Sequence, residues 1–111
     1  MLRIKSGLFV LICLLGFIQL VQADESTDLW KVLSTKIPDT TRVNTLNSLS
    51  REYVNDSPDS AIQIAYMARE LAQKVSFKRG LALANKNIGM GYYLQGKYLE
   101  ALTAWEEALA L

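Results

Sequence analysis

The chain has 111 residues, enough for one small domain, and its 12 basic and 11 acidic side chains leave a formal charge of +1. That balance supplies no field to concentrate nucleic acid or to seek an anionic membrane surface. There is no histidine and only one cysteine, Cys13, which removes the usual general base near neutral pH, the commonest nitrogen ligand for metals and any intrachain disulfide.

Residues 1–23 read as a secretory signal peptide. Arg3 and Lys5 form the charged start, Leu8 to Leu20 is almost wholly apolar, and Val21-Gln22-Ala23 sets small or modest residues at the cleavage point. The apolar core falls short of the roughly 20 residues that span a bilayer, although an uncleaved anchor is the alternative. Cys13 follows Ile12 within the apolar run, which argues against a lipoprotein start. Cleavage near Ala23-Asp24 predicts an exported chain, periplasmic or extracytoplasmic, made of residues 24–111. Arg3, Lys5 and Cys13 leave with the signal, so acidic residues outnumber basic ones by about one and zinc sites and cysteine nucleophiles are excluded. Serines lack a histidine partner and no GxSxG stretch occurs. The chain is expected to be no enzyme and to need no cofactor or metal.

After the signal every segment reads as helix, which makes the fold class all-α. Residues 24–39 are a polar lead-in with a short helix, Asp28 to Lys36, ending before Ile37-Pro38. Asp39 is set to cap a second helix over about Thr40 to Asn55. Ser57-Pro58-Asp59 then opens a third, with Ser57 as N-cap, Pro58 at the first helical position and Asp59 against the positive helix end. That helix runs to about Val75 along a stripe of small residues, Ala61, Ala65, Ala68 and Ala72. A fourth covers Lys78 to Leu94, Gln95-Gly96 turns the chain, and a fifth runs on from Lys97. In the last, Tyr98, Ala101, Leu102, Trp105, Ala108 and Leu109 recur at steps of three and four as one apolar stripe. Trp30 and Trp105 read as core anchors.

The pattern repeats. Leu49-Ser50-Arg51-Glu52-Tyr53 corresponds to Ile88-Gly89-Met90-Gly91-Tyr92, 39 residues later, and Ala61 and Ala68 correspond to Ala101 and Ala108, 40 residues later. Self-similarity at such a spacing marks a repeat array. Residues Asn85 to Ala108 resemble a tetratricopeptide repeat, whose pattern is W-x₂-LG-x₂-Y…A-x₃-F. Asn85 stands at the tryptophan position, Ile88, Gly89 and Tyr92 match the next ones, and Gly96 and Tyr98 match the turn and second helix. Ala101, Trp105 and Ala108 match the small-aromatic-small series. In the first repeat Leu49, Tyr53, Ala61 and Ala68 fit, while Ser50 and Ala65 replace the glycine and the aromatic. The resemblance implies antiparallel helical hairpins stacked as an α-solenoid fragment, with two repeats over 40–77 and 78–111. The spacing here exceeds the family's 34.

Three glycines in Asn87 to Leu102 raise the question of a phosphate site. A dinucleotide loop needs GxGxxG between a strand and a helix. Gly89, Gly91 and Gly96 have another spacing and lie in a helical pattern. Lys97 is followed by Tyr98, not the hydroxyl of a Walker loop. Mid-helix glycines cost roughly 1 kcal/mol each against alanine, so close packing of helices is the expected return, with Gly89 under Ala101 and Trp105. Asp56 and Asp59 read as capping residues, since no oxygen-rich loop with a central glycine follows.

Repeats of the family that this chain resembles bind peptides or helices on a concave surface made by the first helix of each hairpin. The matching positions are Asn44, Asn47, Ser48, Arg51 and Asn55, then Leu83, Lys86, Asn87, Met90 and Tyr93, each set on one helix face. Asparagines can hold a peptide backbone, and Arg51 and Lys86 can meet a carboxylate. The alternative is an ordinary solvated face. The implied function is a protein–protein interaction module with a protein or peptide partner and no nucleic acid. It resembles the extracytoplasmic sensor region of a bacterial signalling protein, with a free periplasmic scaffold for envelope assembly as the alternative. Because Trp105 to Leu111 stops within a helical pattern, without a glycine cap or a basic last turn, further repeats or domains of the parent chain are expected to follow.

Overall fold

The structure, a computed structural model, describes residues 27–111. The signal peptide, Cys13 and the Ala23-Asp24 junction lie outside the described residues. Among the described residues all regular structure is helical: α1 over residues 27–33, α2 Asp39–Tyr53, α3 Pro58–Lys74, α4 Lys78–Leu94 and α5 Tyr98–Leu109. None of these helices is long and apolar enough to cross a membrane.

The helix ends follow from local chemistry. Ser57 caps α3 by accepting from the Ser60 N–H, with Pro58 next. At α2 the expected cap is shifted: Pro38 occupies the N-cap, and Asp39 lies in the first turn. There its charge faces the helix dipole without a side-chain capping bond. Arg42 of α2 donates to the carbonyls of Leu33 and Thr35 at 2.8 and 3.1 Å, which satisfies acceptors that the end of α1 leaves open. The C-termini of α3 and α4 share a Schellman geometry. Phe77 N–H bonds to Ala72 C=O and Lys97 N–H to Tyr92 C=O, at 2.8 and 2.9 Å. The left-handed residue between is Ser76 in one case (φ 57°) and Gly96 in the other (φ 76°).

Connections of three to five residues bring consecutive helices together. α2, α3 and α4 pack on one another, and α5 packs on α4. One core cluster joins Leu46 and Leu49 of α2 to Ile64 and Ala68 of α3 and Ala84 of α4, with Leu29 and Leu33 of α1 and Tyr53 against it. A second joins Ala65, Ile88 and Ala104 beside Tyr66 and Tyr92. Leu49 and Ile88 are fully buried, each worth roughly 1.5–3 kcal/mol of apolar transfer. The alanine stripe of α3 is buried throughout, and its small side chains let the axes approach closely. Arg69 and Glu107 form an ion pair at 3.3 Å that ties α3 to α5.

Two expectations are corrected. The apolar stripe of α5 is covered on one side only: Ala101 is buried and Trp105 half-buried, but Tyr98, Leu102 and Leu109 remain 63%, 52% and 87% exposed. The reason is that α4 is the one helix packed along α5. α3 reaches it only at the edge, through the Ala65 cluster and the Arg69–Glu107 pair, so less than the full apolar arc is shielded. Tyr98 therefore contacts Tyr93 by ring edge, with centroids 5.4 Å apart, and is not a core packing position. Trp30 is likewise exposed, because α1 is short. Its Nε1 donates to the Tyr53 hydroxyl at 3.1 Å and holds α1 to α2 by that bond.

Candidate functional site

Gly89 and Gly91 serve packing. A Cβ on Gly89 would overlap the Trp105 indole, and one on Gly91 would overlap Ile62. Both substitutions would push a neighbouring helix away. Trp105 Nε1 donates to the Lys86 carbonyl at 3.2 Å, so the indole is held against α4 by a hydrogen bond as well as by contact. Gly96 has open space around it and is set by its positive φ instead. Of the remaining repeat positions, Leu49, Ala61, Ala68, Ile88 and Ala101 are buried, and Tyr53, Tyr92 and Ala108 are half-buried.

The candidate binding residues divide into two groups. Asn44, Ser48 and Arg51 of α2, Asn55 in the turn that follows it, and Lys86, Met90 and Tyr93 of α4 are exposed. Asn47 and Asn87 are not available to a peptide, being 0% and 7% exposed. Asn87 Nδ2 donates to the backbone carbonyl and to Oδ1 of Asn47, both at 3.2 Å, and Asn47 Nδ2 donates to the Gly80 carbonyl at 3.1 Å. These amides lock α2 to α4. The lock is close because Gly80 has no side chain: a Cβ there would meet Val43 of α2 and Phe77 at 2.5 Å.

The lock leaves a shallow furrow on the open side of the pair. One part, about 350 Å³, lies between Arg51 of α2 with Val54 at its C-cap and Leu83, Lys86 and Met90 of α4. Another, about 370 Å³, lies among Asn44, Ser48, Phe77, Arg79 and Leu83. Arg79 and Val54 escaped the sequence reading. The signal for Arg79 was present: with Leu83, Lys86 and Met90 it forms an i, i+4, i+7, i+11 series on one face of α4. Arg51, Arg79 and Lys86 thus bring three cations to the furrow, and among the described residues no carboxylate lines it. Such a surface can pair with acidic groups while Leu83, Val54 and Met90 take an apolar side chain. Ser50, at the floor, is spent internally, its Oγ donating to the Ala61 carbonyl at 2.7 Å.

Comparison of the chain with protein-family models, with curated proteins and with solved structures finds no match in any of the three.

Proposed function

We propose that residues 40–111 are two tetratricopeptide-like repeats, helical hairpins stacked as a fragment of an α-solenoid, and that they form a protein–protein interaction module. The observation that carries this reading is the place of α4. It packs against both α2 and α3 and shares with α2 an open face joined by the Asn47–Asn87 lock. The helix starts support it too: α2 and α4 begin at Asp39 and Lys78, 39 apart, and α3 and α5 at Pro58 and Tyr98, 40 apart. The partner is an extended peptide or protein segment that lays acidic and apolar side chains along the α2–α4 furrow. With residues 1–23 read as an export signal, the module belongs to the extracytoplasmic N-terminal region of a bacterial signalling protein.

Titration with short acidic peptides carrying one leucine, followed by backbone amide shifts, tests the furrow. Shifts should cluster at Asn44, Ser48, Arg51, Lys86 and Met90, and Arg51→Glu with Lys86→Glu should abolish them. Shifts confined to the α3 surface, or none with any acidic peptide, would remove the proposal.

A further inference from the structure

The furrow between α2 and α4 gathers cations that the helices do not neutralise. Arg51, Arg79 and Lys86 line it, and among the described residues none of the three meets a carboxylate. α4 as a whole carries Lys78, Arg79 and Lys86 and no acidic residue. The opposite charge is concentrated at another place in the sequence. Residues 24–30 hold Asp24, Glu25 and Asp28 and no basic residue.

α1 fixes where that acidic run joins the helical body. Leu29 and Leu33 pack on the cluster of Leu46 and Ile64, Arg42 holds the carbonyls of Leu33 and Thr35, and Trp30 donates to the Tyr53 hydroxyl. The end of α1 therefore lies at the start of α2, and the start of α1 lies at the end of α2. Tyr53 is the last residue of α2, Val54 is its C-cap, and Arg51 stands two residues earlier. Val54 and Arg51 also form the α2 side of the part of the furrow that holds Lys86. Asp24 and Glu25 come just before Thr27, the first residue described in α1. Three extended residues span about 10 Å, roughly the width of a helix with its side chains, and the Glu and Arg side chains lengthen that reach.

We propose that the chain's own acidic run, Asp24 and Glu25, folds back over the end of α2 and occupies the Arg51–Lys86 part of the furrow. The contact is autoinhibitory, since a partner's acidic side chains must displace it, and it rests on the reading of the furrow as the binding face. Charge complementarity and the position of α1 both select this occupant. Exposed ion pairs are individually weak. A tether this short, however, sets a local concentration on the order of millimolar, so a weak contact competes with a free partner at lower concentration. The same weakness keeps the furrow open to a partner that adds an apolar side chain for Leu83, Val54 and Met90, which two carboxylates cannot supply.

The test compares the full chain as wild type with the full chain carrying Asp24→Asn and Glu25→Gln, which remove charge and keep size. At low salt the backbone amide shifts of Arg51, Val54, Lys86 and Met90 should differ between the two proteins at every protein concentration. The difference should vanish at about 1 M salt, where screening leaves a range of only about 3 Å. The neutralised chain should bind a synthetic acidic peptide carrying one leucine about tenfold more tightly than the wild type, because its furrow is no longer occupied. Identical furrow shifts and equal peptide affinities would overturn the proposal and leave the furrow reading standing. A shift difference that disappears on dilution would overturn it as well, since the run would then come from a second copy. The expected shift difference with no peptide bound by either protein would uphold the fold-back contact and overturn the furrow as a partner site.

Discussion

Gly89 of α4 lies directly beneath the indole of Trp105 in α5, so closely that no side chain fits between them. The indole Nε1–H meets the Lys86 carbonyl one turn away, and the two contacts fix the approach of α5 to α4. A glycine inside a helix is unfavourable by roughly 1 kcal/mol, and here the close approach offsets it. Gly89→Leu should therefore lower stability by about 1–3 kcal/mol through overpacking, read from denaturant midpoints at constant slope. Millimolar nucleotide should leave the melting temperature of the wild type unchanged. A rise would mean that the glycines hold phosphate after all.

Asn47 and Ser48 are neighbours in sequence with opposite roles. Asn47→Ala would remove the buried side-chain bonds to the Gly80 carbonyl and from the Asn87 amide, leaving the latter only the backbone carbonyl of residue 47, at about 1–3 kcal/mol. Ser48→Ala and Asn44→Ala, on the exposed side of the same helix, should change stability by less than about 0.5 kcal/mol. Urea unfolding of the three variants separates the lock from the furrow, and equal losses at all three would contradict the assignment.

Ser76 and Gly96 occupy the same left-handed position at the ends of α3 and α4. Only one of them is a residue suited to it. Left-handed backbone disfavours a side chain by roughly 1–2 kcal/mol, partly balanced by the greater chain entropy of glycine. Ser76→Gly should thus raise stability by about 0.5–1 kcal/mol, and Gly96→Ala should lower it by a similar amount. Thermal midpoints of the pair should move in opposite directions.

The Tyr66 and Tyr92 hydroxyls lie 3.4 Å apart between α3 and α4. That hydrogen bond, together with burial and the charges of Tyr92 and Glu107, raises the Tyr66 phenol above its ordinary value of 10.0, against a lowering by Arg69. The folded state favours the neutral phenol, so its contribution is complete below about pH 10 and declines as pH rises through the raised value. Stability measured from pH 8 to pH 11 should fall more steeply for the wild type than for Tyr66→Phe. Parallel curves would show that Tyr66 does not carry the alkaline loss.

The helices were legible, although α1 ends at residue 33 and α2 at Tyr53, short of the expected Lys36 and Asn55. Ser57-Pro58 opens α3 where capping chemistry predicts, the alanine stripe of α3 is buried as its 3.6-residue spacing implies, and Gly89 meets Trp105 as the repeat correspondence predicts. These features belong to one helix or to neighbours joined by a short turn, so local sequence carries them. Burial on a polar face is different. Asn44, Asn47, Ser48 and Arg51 share a face by spacing, yet Asn47 alone goes inside, because Asn87 and Gly80, more than thirty residues away, supply the groups that satisfy its amide. The apolar arc of α5 is ambiguous in the same manner. Periodicity shows that Ala101, Leu102, Trp105 and Leu109 share a side, but it cannot say how far round that side a neighbour reaches. A hydrophobic pattern records what one helix offers, while burial depends on which other helix accepts it and at what distance.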